Sequence, residues 1–201
     1  MRWAYLYARS RRLPAAIAVA VAVPATTWAL WLAFGSGRII PDQLTALTAL
    51  LIGVALTPAL AAPDEGLEAT GSVRWPLRRA GHLLLAAALV VAVPLAAWPT
   101  GARFAPLWLV ARDGVGLLGL CALAAVLIGT GLAWIPPLVW TLMAVAVTAP
   151  STEPLRQASG WMLHHPSGTT STLVATVLAT AGLAAYATFG CPHHTTPNDH
   201  A

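Results

Sequence analysis

The residues best suited to recognise another molecule lie in one polar loop, Pro63–His82, between two apolar segments. The chain is only 9% charged, yet this loop holds three of its seven acidic and three of its eleven basic residues: Asp64, Glu65, Glu68, Arg74, Arg78 and Arg79. Charges this dense are costly to bury, so the polar loop must lie in water. Its acidic side chains favour contact with a soluble partner, and the alternative is an ordinary solvated loop.

The histidines and the serine that could support catalysis lack partners at a useful spacing. Two pairs of histidines are adjacent, at positions 164–165 and 193–194, and neighbouring side chains cannot easily bind one metal ion together. Ser159 would need a histidine as its base, and the last apolar segment, Thr172–Phe189, contains none. The sequence therefore predicts neither a metal site nor a catalytic set.

All eleven basic residues are arginines, and lysine is absent. A P-loop needs a lysine that reaches the β- and γ-phosphates, so an ordinary ATP-hydrolysing motif is excluded. A Schiff-base lysine is excluded for the same reason. We therefore expect that the chain is not an enzyme and binds no cofactor itself.

The composition is that of an integral membrane protein, since 58% of the 201 residues are hydrophobic and the mean hydropathy is +0.72. A membrane span needs about 20 apolar residues to cross a hydrocarbon core of about 30 Å. The apolar segments predict an all-α, polytopic fold with six spans: 13–34, 43–62, 81–98, 114–128, 132–149 and 172–189. They form a single transmembrane domain, 1–190, followed by a disordered polar tail, 191–201.

The charged pair Arg112 and Asp113 precedes the fourth predicted span. Either the pair anchors a helix that starts at about Gly114, or the span starts near Pro106 and carries both charges partly into the membrane. Charges inside a span are costly and mark functional sites. Under the second alternative, Arg112 and Asp113 form a candidate intramembrane polar site.

The first twelve residues, MRWAYLYARSRR, combine aromatic and basic side chains. A helix here would place aromatic rings at the headgroup level and arginines toward anionic lipid, as an interfacial elbow helix does. The alternative is a simple basic flank that orients the chain. The residues assigned to the membrane interface are Trp3, Tyr5, Arg9, Arg11 and Arg12.

The stretch Pro150–Ser171 separates the last two predicted spans. Its apolar residues at positions 155, 158 and 161–163 predict a short, partly amphipathic helix that ends before Pro166. This helix either lies flat at the outer surface or re-enters between the last two spans.

The distribution of arginines predicts the orientation. Six spans place the N-terminus, the polar loop, the 129–131 turn and the tail on one side. That side has seven arginines, and the opposite side has four: Arg38, Arg103, Arg112 and Arg156. The positive-inside rule then places both termini in the cytoplasm and the chain in the cell membrane. The same rule explains the net charge of +4, so we expect no nucleic-acid partner.

The run Asp64–Glu68 (DEGLE), followed by Val73–Arg79 and an apolar span, resembles the coupling-helix region of type-2 ABC transporter permeases. In that family an E-x-G-T-L-E-like run after span two precedes a small or basic stretch that leads into span three. The layout is also similar, with an elbow helix, six spans, cytoplasmic termini and a short helix that ends at a proline between spans five and six. This chain departs from the pattern because it lacks the threonine before Leu67.

The resemblance implies a transmembrane permease subunit of an ATP-driven exporter of a hydrophobic or amphipathic small molecule, peptide or lipid. A separate ABC ATPase subunit, carrying ATP and magnesium, would dock on the polar loop, and a second copy or a sister permease would complete the pathway. The residues implied in this coupling are Asp64, Glu65, Gly66, Leu67, Glu68, Thr70 and Arg74.

Two other functions remain open. One is a membrane scaffold or assembly protein without transport activity. The other is a carrier or membrane enzyme that works alone, with Asp113, Arg112 or His82 as its polar residues.

Overall fold

The computed structural model describes residues 13–61, 75–100, 103–146, 154–163 and 169–191, and these residues are all-helical. The α-helices in this part of the chain are α1 (Leu13–Phe34), α2 (Asp42–Leu56), α3 (Trp75–Leu95), α4 (Leu107–Ile128), α5 (Ile135–Ala146), α6 (Pro154–Ser159) and α7 (Thr169–Phe189). A 3-10 turn, Thr57–Leu60, extends α2, and another, Trp98–Thr100, follows α3. The predicted all-α fold is confirmed for the described residues.

Five of these helices are long and apolar enough to cross a membrane: Pro14–Phe34, Asp42–Leu60, Trp75–Leu95, Leu107–Ile128 and Thr169–Phe189. Each has between 19 and 22 residues. At about 1.5 Å per residue, such helices match the thickness of the hydrocarbon core. The chain is therefore a multi-pass membrane protein.

The fifth predicted span, 132–149, is represented by the shorter helix α5, which has 12 residues. Its described length is about 18 Å, less than the roughly 30 Å of a complete crossing. Residues 147–149 lie outside the described part of the chain, as do the predicted elbow helix and residues 192–201 of the predicted tail.

Helices α3 and α4 begin six or more residues earlier than their predicted spans. Helix α4 starts at Leu107, directly after Pro106, so Arg112 and Asp113 lie within it. This start agrees with the second of the two alternatives for the pair. Helix α3 starts at Trp75 and includes the last residues of the polar loop.

Pro24 lies inside α1, where it removes a backbone N–H. The hydroxyl groups of Thr26 and Thr27 donate hydrogen bonds to the Val23 carbonyl, at 2.8 and 3.0 Å. These hydroxyls add two hydrogen bonds within the helical turn that follows the proline.

Helices α4 and α7 run parallel and approach each other closely. A Cβ atom on Gly116 would lie 3.2 Å from Ala175 Cα, and one on Gly119 would lie 2.6 Å from Ala179 Cα. A Cβ atom on Gly182 of α7 would likewise collide with the backbone of Gly119. The glycines therefore allow the backbones to meet without intervening side chains.

Helix α3 runs antiparallel to α4. Val90, near the end of α3, packs against Gly114, near the start of α4. Leu83, near the start of α3, lies with Leu118 further along α4. Helix α2 runs parallel to α4, since Gly53 faces Cys121 and Leu50 packs with Leu117.

The ends of these helices form two faces. On one, which we call the loop face, the Tyr186 hydroxyl of α7 donates to the Leu60 carbonyl at the end of α2, at 3.1 Å. Arg79 of α3 lies against Gly190 at the same end of the bundle. The described residues that flank the polar loop thus share a face with the end of α7.

The opposite end, which we call the far face, is closed by two loops. The backbone N–H of Ile40 donates to the Arg103 carbonyl at 2.8 Å, and the N–H of Arg103 donates to the Arg38 carbonyl at 2.7 Å. Ile40 and Phe104 are buried here with Leu109 at the start of α4.

Candidate functional site

The structure describes one of the three predicted groups of site residues. The coupling residues Asp64, Glu65, Gly66, Leu67, Glu68, Thr70 and Arg74 lie outside the described residues, and so do the interface residues Trp3, Tyr5, Arg9, Arg11 and Arg12. Arg112 and Asp113 are described, and they form the centre of the candidate site.

Arg112 and Asp113 form an ion pair in the second turn of α4. The Nε atom of Arg112 donates to Oδ1 of Asp113 at 2.8 Å. Only 6% of the arginine side chain and 1% of the aspartate side chain are exposed. Burying charges is costly unless they are paired, and here each neutralises the other.

Arg112 also connects α4 to a distant part of the chain. Its Nη2 atom donates to the backbone carbonyl of Trp161 at 2.9 Å. Its guanidinium group lies 5.4 Å from the centre of the Trp108 ring, within the range of a cation–π interaction. Arg112 therefore holds the segment around Trp161 against the start of α4.

That segment, Pro154–Leu163, consists of α6 and the turn after it. Trp161 and Met162 are both fully buried within the bundle. The Trp140 indole N–H of α5 donates to the Ser159 carbonyl at 2.9 Å, and the Thr141 hydroxyl approaches the Met162 sulfur at 3.5 Å. This segment therefore packs against the bundle through Trp161 and Met162, while Leu155 of α6 is 82% exposed.

The Trp161 ring fills the space above the small residues of α4 and α7. A Cβ atom on Gly116 would lie 2.6 Å from the ring, so only glycine fits at that position. One signal for this contact was visible in the sequence, since Trp161 belongs to the apolar residues 161–163 of a stretch that also contains polar residues. It could not show which helix the ring would meet.

The pair leaves one polar atom without a bonded partner. The Oδ2 atom of Asp113 is buried and accepts no hydrogen bond from any described residue. Oδ1 receives the arginine, so the arrangement can anchor a segment and offers one further acceptor site inside the protein.

On the loop face, two arginines of the polar loop are described. The Arg78 guanidinium lies 5.8 Å from the centre of the Trp75 ring. The Arg79 side chain lies against Gly190, which has a φ angle of +69° just beyond the end of α7. A cation at this position is favourable because the carbonyl end of a helix carries partial negative charge.

An apolar cavity of about 220 Å³ lies between α1 and α3 near the far face. Its walls include Val21 and Trp28 of α1, Val93 of α3 and Phe104 of the far-face loop. The lining suits a hydrophobic group and offers few polar contacts.

Fold and site together define a helical, multi-pass membrane protein with a buried charged pair that holds the segment Pro154–Leu163 against α4. Comparison with family models, with curated proteins and with solved structures found no match for this chain.

Proposed function

We propose that the chain is the transmembrane permease subunit of an ATP-driven ABC transporter. It exports a hydrophobic or amphipathic small molecule, peptide or lipid across the cell membrane, with both termini in the cytoplasm. A separate ATPase subunit binds ATP and magnesium and docks on the polar loop. A second copy of the chain, or a sister permease, forms the other half of the pathway.

The observation that carries this proposal is the place of the polar loop in the chain. The loop connects α2 to α3, and α2 contacts α1, α3, α4 and α5 within the bundle. A displacement of the polar loop would move α2 and would be transmitted to the helices that α2 contacts. This is what a transporter without its own energy source requires.

The apolar cavity between α1 and α3 supports the proposed substrate class. Its volume of about 220 Å³ can hold part of a hydrophobic molecule, and its walls are apolar. A polar substrate would find few hydrogen-bonding groups there.

The experiment that tests the proposal is purification of the tagged chain from its native membrane in mild detergent. We expect a stoichiometric partner that carries a P-loop. Isolation without a partner, or with a partner that has no nucleotide site, would contradict the proposal. The second outcome would favour a membrane scaffold instead.

A paired substitution locates the docking site. Glu65→Ala with Glu68→Ala removes two acidic groups that we assign to the ATPase contact, so we expect less ATPase to co-purify while membrane insertion stays normal. Glu153→Ala, on the side predicted to face away from the ATPase, serves as the control and should leave docking unchanged. Unchanged docking of the double variant would refute the role of the polar loop.

A second candidate function is a carrier that works alone, and the buried Asp113 carboxylate favours it. Its Oδ2 atom accepts no hydrogen bond from the described residues, and ionisable side chains inside a membrane commonly mark a substrate pathway. The test is transport by the purified chain in liposomes without any ATPase. Activity that Asp113→Asn abolishes would support this candidate over the permease.

A further inference from the structure

Three buried polar side chains each keep one atom that forms no hydrogen bond with the described residues. These atoms are Oδ2 of Asp113, Nε1 of Trp161 and Oγ of Ser171. All three residues are completely inaccessible to solvent. Unsatisfied buried polar atoms are rare in native proteins, so three in one region require an explanation.

The three residues share one layer of the bundle. Asp113 lies one turn before Gly116 on α4, and Ser171 lies one turn before Ala175 on α7. Gly116 and Ala175 face each other, and residues three or four apart lie on the same side of a helix. Because the two helices run parallel, Asp113 and Ser171 lie at the same level of the bundle, one turn before this contact.

Trp161 borders the same layer. Its ring reaches Gly116, one turn along α4, while its carbonyl accepts the hydrogen bond from Arg112, the neighbour of Asp113. The Trp161 ring therefore borders the level of α4 that contains Asp113.

We propose that this layer binds an ordered water molecule between Asp113, Trp161 and Ser171. The indole N–H donates to the water, the water donates to Oδ2, and the hydroxyl of Ser171 completes the set as donor or acceptor. Two to four polar partners are what a buried water needs.

The charges of the site select water over an ion. Arg112 already neutralises Asp113 at 2.8 Å, so a second cation would be repelled by the guanidinium group. Calcium would also need six to eight oxygen ligands, more than these three side chains supply. An anion would meet the carboxylate. A small neutral molecule that both donates and accepts satisfies all three atoms.

The bound water joins three elements that the chain brings together from distant positions. It connects α4 to α7 and connects both helices to the segment Pro154–Leu163. Arg112 holds the backbone of that segment, and the water holds its tryptophan side chain.

The first test asks whether removing the Ser171 hydroxyl raises or lowers the thermal midpoint of unfolding. If the Ser171 hydroxyl were truly unbonded, Ser171→Ala would raise the thermal midpoint of the purified protein or leave it unchanged. If the hydroxyl binds water, the substitution removes a bond, and we expect the midpoint to fall by about 2–4 °C. Thr176→Ala, on an exposed position of the same helix, is the control and should change the midpoint less.

The second test detects the water in the wild-type chain. X-ray radiolysis of a bound water generates hydroxyl radicals in place, which oxidise adjacent side chains. We expect Trp161 to be oxidised several-fold faster than Tyr186, which is equally buried but bonded to a carbonyl. Oxidation at the rate of Tyr186 would overturn the proposal.

A third variant links the two tests. Trp161→Phe keeps most of the ring and removes the N–H donor. If the two side chains share one water, the changes that Trp161→Phe and Ser171→Ala cause in the thermal midpoint are not additive in the double variant. Ser171→Ala should also slow the oxidation of Trp161. Additive effects with unchanged oxidation would show that the atoms do not share a ligand.

Discussion

Arg112 and Asp113 show how a full charge can be kept inside an apolar helix bundle. The carboxylate is bonded to the guanidinium beside it, and the guanidinium is further held by a backbone carbonyl and an aromatic ring. Such a pair matters for stability only while both charges are present, because burying one isolated charge costs far more free energy than burying a pair.

Removing one charge of the pair should be worse than removing both. Arg112→Met leaves Asp113 buried without its counter-ion, and we expect a loss of about 3–5 kcal/mol in the free energy of unfolding. The double variant Arg112→Met with Asp113→Leu leaves no charge behind and should recover much of that loss. Thermal unfolding in detergent measures both, and equal stability of the single and double variants would contradict the expectation.

Gly119 is a second position at which one atom decides the packing. A Cβ atom there would lie 2.5 Å from the Leu178 carbonyl oxygen, so Gly119→Ala must push α4 and α7 apart. We expect a loss of about 1–3 kcal/mol in the free energy of unfolding. Gly81→Ala in α3 is the matched control because nothing lies within 4 Å of its Cβ position. That variant should be neutral or slightly stabilised, and the same unfolding measurement would reveal a contrary result.

At the scale of elements, the packing of the segment Pro154–Leu163 depends on one aromatic side chain. Trp161→Ala would remove a fully buried ring, at a cost of about 3–5 kcal/mol, and should release Pro154–Leu163 from the bundle. Hydrogen exchange should then accelerate in this segment more than in α4. Leu155→Ala removes a side chain that is 82% exposed and should leave exchange unchanged. Equal exchange rates in the wild type and the tryptophan variant would show that other contacts hold the segment.

The long helices could be predicted because an apolar run of about 20 residues has few alternatives in a membrane. The start of α4 could not be fixed in the same way. Arg112 and Asp113 interrupt the hydropathy pattern. The cost of burying them in the helix is offset by their ion pair and by the hydrogen bond to the Trp161 carbonyl. The same contact explains why the two alternatives for Pro150–Ser171 stayed open in the sequence.

The candidate site could be predicted only in part. The charged pair was visible because charges beside an apolar run are rare in this chain. Ser171 and Trp161 were not visible as site residues, since nothing in their local sequence indicates that α7 packs parallel to α4. Such contacts join residues more than 40 positions apart and depend on the small residues that let the helices meet.

At the scale of the whole molecule, the packing of the helix ends separates the loop face from the far face, and the arginine distribution predicts which face is cytoplasmic. Of the seven arginines assigned to the loop-face side, three lie in the polar loop and four in the first twelve residues. The permease proposal requires this orientation because the ATPase and its ATP are inside the cell.

Cysteine labelling from outside the cell decides the orientation. Ser36→Cys lies in the exposed far-face loop after α1, and Ser72→Cys lies in the polar loop. In a background with alanine at Cys121 and Cys191, we expect a membrane-impermeant maleimide to label intact cells at position 36. It should reach position 72 only after the membrane is opened. The reverse pattern would place the polar loop outside the cell, where no cytoplasmic ATPase could dock. It would therefore rule out the permease proposal while leaving the fold and the buried pair unchanged.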